Sequence, residues 1–108
     1  MLSAGTNANE FTPLVPGSFV ALVTPMTQDG KVDIPALTHL LRYHVESQTD
    51  GLCVLGTTGE STVLSMEERD LVLTLVVDEC KGKLPILAGT GTIDPQTVRA
   101  YTMHARDV

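Results

Sequence analysis

The chain has 108 residues, 13 acidic and 7 basic side chains, a formal net charge of −6 and a hydrophobic fraction of 43%. It is too apolar and too weakly charged for a disordered chain, and its acidity argues against nucleic-acid or anionic-membrane partners. No apolar run approaches the roughly 18 residues of a membrane span, and residues 1–16 lack the features of a secretory signal. The length fits one small domain or a part of a larger one, and we expect the latter.

The chain divides into an N-terminal arm and a folded region. Residues 1–16 are small and polar with two prolines, and we expect a flexible arm there, whereas residues 17–108 carry the elements of a fold. Ser18–Val23 predicts a first strand, because the run is apolar and Pro25 favours extended backbone before it. Asp33 is expected to cap a first helix, whose apolar stripe is Ile34, Leu37, Leu40, Leu41 and Val45.

A second unit of strand and helix follows. Gly51–Leu55 predicts a buried strand, and Gly56–Ser61 predicts the loop after it. Ser65 and Glu68 have the spacing of a capping box. We expect the helix that they begin to end near Lys81, with a core stripe of Leu71, Leu75 and Val76.

A third unit completes the pattern. Pro85–Ala88 predicts a strand, and Asp94 with Pro95 opens a third helix. The strand ends recur about every 30 residues, as in βα units. Strands that are apolar throughout need cover on both faces, which is typical of a parallel sheet in the α/β class. A doubly wound sheet and a (β/α)8 barrel both satisfy this order.

The loops distinguish these two architectures. A dinucleotide-binding sheet would place G-x-G-x-x-G after its first strand; the chain has Thr24-Pro25-Met26 there, and Asp94 stands where the glycine pattern after the third strand needs a glycine. In a barrel the chemistry lies at the carboxyl ends of the strands. The residues at those ends are hydroxyl-bearing: Thr24, Thr57, Thr58 and Thr90.

The segment Gly56–Glu60 is the most informative of these loops. Its glycines allow tight backbone and close approach to a ligand, and the successive amides of Thr57 and Thr58 can hold a carboxylate. A threonine hydroxyl both donates and accepts, so it can pass a proton. The same residues also fit an ordinary strand-to-helix turn. No metal site is predicted, because no His, Cys and Asp cluster has ligand spacing.

Three segments resemble one known family. GLCVLGTTGES at Gly51–Ser61, ALVTPM at Ala21–Met26 and LAGTG at Leu87–Gly91 are similar, in order, to the motifs of the dihydrodipicolinate synthase family. These are pyruvate-dependent class I aldolases, and N-acetylneuraminate lyase is a member. The resemblance implies that residues 17–108 form the N-terminal portion of a (β/α)8 barrel, its first three βα units.

The resemblance also implies an activity. Members condense pyruvate with aspartate 4-semialdehyde through a lysine Schiff base, giving 4-hydroxy-tetrahydrodipicolinate for diaminopimelate and lysine biosynthesis. It assigns to Thr57 the hydroxyl of a proton relay between two tyrosines, and to the Thr57 and Thr58 backbone the pyruvate carboxylate. Gly56, Gly59 and Glu60 would shape the loop, with Glu60 bracing it or capping the next helix. No cofactor or metal is implied; the intact enzyme would be a homodimer or homotetramer, cytoplasmic or, in a photosynthetic eukaryote, plastidic.

The family's Schiff-base lysine and both relay tyrosines lie beyond Val108, so we expect the 108 residues alone to be inactive and to aggregate or pair with themselves. Lys31, Lys81 and Lys83 are expected to be surface charges at or near the lower rim of the barrel. A sister lyase acting on keto-acid sugars and a non-catalytic carboxylate-binding half-barrel are the alternatives. Neuraminate lyases tend to have Ser in place of Thr57, which favours the synthase.

Regulation is predicted from four further positions. Lysine-inhibited members of the family present His, His, Asn and Glu where this chain has Met66, Arg69, Ile93 and Thr97. These four residues would hold the ammonium and carboxylate of a free amino acid poorly. The resemblance therefore predicts weak or absent feedback by lysine.

Overall fold

The computed structural model describes residues 15–108, in which three strands alternate with three α-helices. No helix of this part of the chain has the length and apolarity to cross a bilayer. The expected flexible arm spans residues 1–16, and residues 1–14 lie outside the described residues, so the arm stays a prediction. The bounds are β1 Phe19–Ala21, α1 Ile34–Glu46, β2 Gly51–Val54, α2 Met66–Cys80, β3 Ile86–Ala88 and α3 Pro95–Asp107, with a 3-10 helix at Ser61–Val63.

The three strands form a parallel sheet in the order β1-β2-β3. Val20 pairs with Leu52, and Leu52 pairs with Ile86. Because the strands are parallel, their carboxyl ends lie at one edge of the sheet. The β1–α1, β2–α2 and β3–α3 connections are therefore neighbours on one side of the molecule.

The helices begin where the local sequence predicts. The Asp33 carboxylate accepts from the Ala36 amide at 3.0 Å and caps α1. The capping box of α2 is complete, since the amides of Ser65 and Glu68 each donate to the other's side chain at 3.1 Å. Asp94 caps α3 by accepting from the Gln96 and Thr97 amides. These contacts satisfy backbone donors that have no partner inside a helix.

A single apolar core lies between the sheet and the helices. Its fully buried side chains come from all layers: Leu37 and Leu41 of α1, Leu52 and Val54 of β2, and Val72, Val76 and Cys80 of α2. Side chains alternate between the faces of a strand, so the other face of the sheet carries Phe19, Ala21, Cys53 and Leu87, none of which is buried. The sheet is thus apolar on both faces, and helices of the described part cover one of them.

The predicted core stripe of α2 is confirmed at Val76 and wrong at Leu71 and Leu75. Leu71 is 39% exposed and Leu75 is half-buried, whereas the buried apolar residues are Val72, Leu73, Val76, Val77 and Cys80. Residues 71–77 are apolar except for Thr74, so their periodicity does not define one face. Contact with the sheet and α1 selects the face instead.

The strands are shorter than predicted. Strand β1 covers half of Ser18–Val23, although the Leu22 amide still donates to the Cys53 carbonyl at 2.9 Å. Strand β2 ends at Val54 because Leu55 has a φ of 58°. A left-handed residue cannot continue a strand. Both shortened ends lie at the edge where the candidate site is found.

Candidate functional site

The loop after β2 is a tight turn between two left-handed residues. Leu55 has a φ of 58° and Glu60 a φ of 56°. Between them, the Glu60 amide donates to the Thr57 carbonyl at 3.0 Å and the Ser61 amide donates to the Gly56 carbonyl at 3.4 Å. Non-glycine residues are uncommon in this region of φ, and such strain is concentrated at functional sites.

The turn is anchored to the end of β1 through Gly59. The Thr24 hydroxyl donates to the Gly59 carbonyl at 2.7 Å, and this hydrogen bond is buried. A Cβ on residue 59 would lie 3.2 Å from both the Leu22 carbonyl oxygen and the Thr24 hydroxyl oxygen. Gly59 therefore allows the loop to lie directly against β1.

The other two residues predicted to shape the loop behave differently. A Cβ on Gly56 would meet nothing within 4 Å, so packing does not require a glycine there. Glu60 acts through its backbone: it precedes the 3-10 helix, but its carboxylate makes no capping hydrogen bond, contrary to the expected cap. Helix α2 is capped by Ser65 instead.

Thr57 and Thr58 lie exposed at the tip of the turn. Within residues 15–108, neither of their amides donates to a protein acceptor. Two successive unoccupied N–H groups beside a hydroxyl can bind a carboxylate, because an anion accepts several hydrogen bonds at once. The structure thus brings Thr24, Thr57 and Thr58 to one edge of the sheet. Thr90, also predicted at a strand end, accepts from the Thr102 hydroxyl of α3 at 3.0 Å.

Arg69, named from the sequence only as one of the four regulatory positions, also has structural contacts in this region that the sequence did not predict. Its side chain is 3% exposed, it donates to the Gly89 carbonyl at 2.7 Å, and its guanidinium lies 3.9 Å from the centre of the Tyr101 ring. Burial lowers the pKa of Arg69, with Tyr101 acting in the opposite direction. Together, Arg69 and Thr24 are the buried polar or charged side chains of residues 15–108, and each holds a glycine carbonyl beyond a strand.

A cleft of about 230 Å³ opens beside Arg69, between the β2–α2 and β3–α3 connections. Gly89, whose carbonyl accepts from Arg69, lies behind this lining residue, and a Cβ on Gly89 would overlap the Leu55 carbonyl oxygen. The LAGTG motif was the available sequence signal for this close approach. The cleft is lined by Ser61, Thr62, Arg69, Gly91, Thr92, Ile93 and Tyr101.

Contrary to the prediction, the three lysines do not lie at one rim of the sheet. Lys31 lies in the β1–α1 connection, on the side of the carboxyl ends of the strands, where it is 81% exposed and 4.0 Å from Asp29. Lys81 and Lys83 lie between α2 and β3, on the opposite side.

No group of three or more His, Cys, Asp or Glu side chains within residues 15–108 is placed to hold a metal ion. Both cysteines are free thiols, Cys80 buried and Cys53 half-buried.

The chain matches the Dihydrodipicolinate synthetase family over residues 14–108. It is 47% identical over 93 residues to 4-hydroxy-tetrahydrodipicolinate synthase of Methylococcus capsulatus, covering 86% of this chain and 31% of that protein. The fold matches the chloride-inhibited dihydrodipicolinate synthase of Acinetobacter baumannii complexed with pyruvate, with a TM-score of 0.82 and 41% sequence identity. The match covers 84% of this chain and 31% of that protein. N-acetylneuraminate lyase of Mycoplasma synoviae matches with a TM-score of 0.78 and 30% sequence identity, over 84% of this chain and 32% of that protein. The chain thus spans about a third of the length of these relatives.

Proposed function

This chain belongs to the dihydrodipicolinate synthetase family and folds as the first three βα units of a (β/α)8 barrel, and from this premise we propose that the complete enzyme condenses pyruvate with aspartate 4-semialdehyde. We use "complete enzyme" for the protein in which these units belong to a closed barrel. The observation that carries the proposal is the pair of unoccupied amides at Thr57 and Thr58, at the edge where barrel enzymes bind substrate.

The geometry of the loop supports a specific role for each threonine. The two amides would donate to the pyruvate carboxylate, and the keto carbon of the substrate would then face the centre of the barrel. A lysine amine supplied by the rest of the barrel would form the Schiff base at that carbon. The Thr57 hydroxyl would relay protons between neighbouring tyrosines, since it can donate and accept at once. This chemistry needs neither a metal nor an organic cofactor.

Replacing Thr57 in the complete enzyme tests the relay. We expect Thr57→Val to lower kcat by about a hundredfold, within the range that positioned proton transfer contributes. Thr57→Ser keeps the hydroxyl and is the matched control, with kcat expected within about threefold of the wild type, far inside that range. Steady-state assays with pyruvate and aspartate 4-semialdehyde measure both. Equal rates for the valine and serine variants would contradict the relay.

Borohydride reduction in the presence of pyruvate tests the reaction class. The complete enzyme is expected to gain the mass of one reduced pyruvate adduct per chain, because reduction traps a Schiff base as a stable amine. Turnover with aspartate 4-semialdehyde supports the synthase, whereas an adduct accompanied by cleavage of N-acetylneuraminate alone would indicate a sister lyase. Absence of any adduct would favour a non-catalytic carboxylate-binding protein.

The assembly of the complete enzyme is a further part of the proposal. We propose a homodimer or homotetramer that works in the cytoplasm, or in a plastid of a photosynthetic eukaryote. Exposed apolar side chains support an interface: Ile93, which lines the cleft, is 102% exposed, and Val63 and Met66, between β2 and the first turn of α2, are 73% and 40% exposed. Light scattering coupled to gel filtration measures the mass, and a monomer at micromolar concentration would contradict this assembly.

A further inference from the structure

Thr24 occupies an unusual position for a hydroxyl group. It is 5% exposed, lies at the carboxyl end of β1, and donates at 2.7 Å to the carbonyl of Gly59, a residue 35 positions later in the chain. Burying a polar group costs free energy unless a partner satisfies it. The contact therefore requires that the loop after β2 and the end of β1 keep one relative position.

The peptide group that Thr24 contacts is held at both of its ends. Its carbonyl oxygen, from Gly59, accepts from the Thr24 hydroxyl, and its N–H, from Glu60, donates to the Thr57 carbonyl at 3.0 Å. A peptide group is planar, so fixing the oxygen also fixes the direction of the N–H. Thr24 thereby sets the position of the Thr57 carbonyl.

The Thr57 carbonyl belongs, in turn, to the peptide group whose N–H is the Thr58 amide. The hydrogen bonds therefore run in series from the Thr24 hydroxyl through two peptide groups to the Thr58 amide, which has no acceptor within residues 15–108. Hydrogen bonds in series polarise one another, and each donation strengthens the next donor. The last N–H of this series is one of the two that face a ligand in the proposed function.

We propose that Thr24 is a positioning residue that orients and polarises the Thr58 amide for a carboxylate ligand. The proposal rests on the proposed function for the identity of that ligand, pyruvate, and adds a residue that does not touch it. The confinement of Gly59 supports the role, because a Cβ there would lie 3.2 Å from the Thr24 hydroxyl oxygen, a tight contact that the loop and Thr24 would relieve by a small shift.

The test compares Thr24→Val with Thr24→Ser in the complete enzyme. Valine has nearly the shape of threonine without the hydroxyl, and serine keeps the hydroxyl. We expect Thr24→Val to raise the KM for pyruvate about tenfold, the effect of one buried hydrogen bond whose acceptor loses its partner, with the KM for aspartate 4-semialdehyde unchanged. Thr24→Ser is expected to restore the KM for pyruvate. Thr38→Val, which removes a hydroxyl on α1 that donates to the Ile34 carbonyl and lies outside this series, should leave both KM values unchanged.

Three outcomes would overturn the proposal: an unchanged KM for pyruvate in Thr24→Val, an equal rise in both KM values, or no rescue by serine. If the valine variant does not fold, Thr24→Cys takes its place, because a thiol is of similar size but donates weakly. An unchanged KM for pyruvate in that variant has the same meaning.

Hydrogen exchange distinguishes failure of this proposal from failure of the proposed function. If the wild-type enzyme forms no borohydride adduct with pyruvate, the proposed function fails, and exchange at the Glu60 amide then decides the role of Thr24. We expect at least about fivefold faster exchange at that amide in Thr24→Val than in Thr24→Ser, since its peptide group loses one of two contacts. Equal exchange would overturn the positioning role whatever the ligand.

Discussion

Gly89 is placed where the space around the Cα atom excludes a side chain, and Gly59 is placed where a side chain would fit only tightly. Gly59 lies against the Leu22 carbonyl, and Gly89 lies against the Leu55 carbonyl. The Gly89 amide also donates to the Val54 carbonyl at 2.8 Å, so β3 remains bonded to β2 up to the beginning of the loop. These two close approaches fix the backbone on either side of Thr57 and Thr58.

Substitution of Gly89 tests this spatial requirement. A Cβ at residue 89 would overlap the Leu55 carbonyl oxygen, whereas a Cβ at Gly91 would meet nothing within 4 Å. We expect Gly89→Ala to lower the free energy of unfolding by about 1–3 kcal/mol, as overpacking does, and Gly91→Ala to leave it unchanged. Thermal and urea unfolding of the two variants measure the difference. Equal stability of both variants would contradict it.

The residues of the candidate site differ in how far the sequence could reveal them. Thr57 and Thr58 follow a strand and lie between glycines, so local pattern makes them candidates, but the same pattern fits an ordinary turn, and their predicted roles come from the family resemblance. Thr24 was selected as a strand-end hydroxyl, but its partner lies 35 residues away, and no local pattern specifies that contact. The position of Arg69 depends likewise on Gly89, 20 residues later, and on the Tyr101 ring.

At the scale of elements, helix starts were predicted well and helix faces less well. Each N-cap contact joins residues two or three positions apart, so the sequence of one turn determines it. The buried face of α2 depends on the sheet and on α1, and its apolar run is ambiguous without them. Strand ends depend on the same long-range contacts, which is why β1 and β2 are shorter than the apolar runs that contain them.

The cap of α3 makes a prediction about pH. The Thr97 hydroxyl, which donates to Asp94 at 2.6 Å, is the main cause that lowers the pKa of Asp94 below its ordinary value of 3.8, and the Gln96 and Thr97 amides add to it. Because the folded value is the lower one, Asp94 stabilises the fold above pH 3.8 and loses this effect as the pH falls through the folded pKa.

Asp94→Asn is the matched variant, since asparagine also caps helices but does not titrate. We expect the wild type to be the more stable of the two near neutral pH, and the difference to shrink as the pH falls below about 4, the range in which a free aspartate is protonated. Urea-unfolding midpoints across this range measure the difference. A difference that does not change with pH would contradict the assignment.

The whole molecule has an apolar sheet face that the described helices do not cover. Phe19, Ala21, Cys53 and Leu87 lie on that face, and strands apolar on both sides are stable when both are covered. We therefore expect the 108-residue chain, expressed alone, to aggregate or self-associate in gel filtration. We also expect no borohydride adduct with pyruvate, because its lysines lie in exposed connections. A monodisperse monomer that forms the adduct would contradict both expectations.

Regulation also belongs to the whole molecule, because the cleft beside Arg69 involves two βα connections and α3. Arg69 is a cation 3% exposed in its wall, and like charge disfavours the ammonium group of free lysine. Ile93 is apolar, and the Thr97 hydroxyl already donates to Asp94 at 2.6 Å. At these positions the chain thus offers the ammonium groups of lysine a repelling charge at Arg69, no hydrogen bond at Ile93 and an already engaged hydroxyl at Thr97.

We therefore expect lysine to inhibit the complete enzyme weakly or not at all. The measurement is a titration of lysine into the assay with pyruvate and aspartate 4-semialdehyde at concentrations near their KM values, where a change in affinity or in turnover is visible. A family member with His, His, Asn and Glu at the four positions serves as the positive control. Strong inhibition of this enzyme would overturn the prediction, and it would indicate that the Arg69 guanidinium pairs with the carboxylate of lysine.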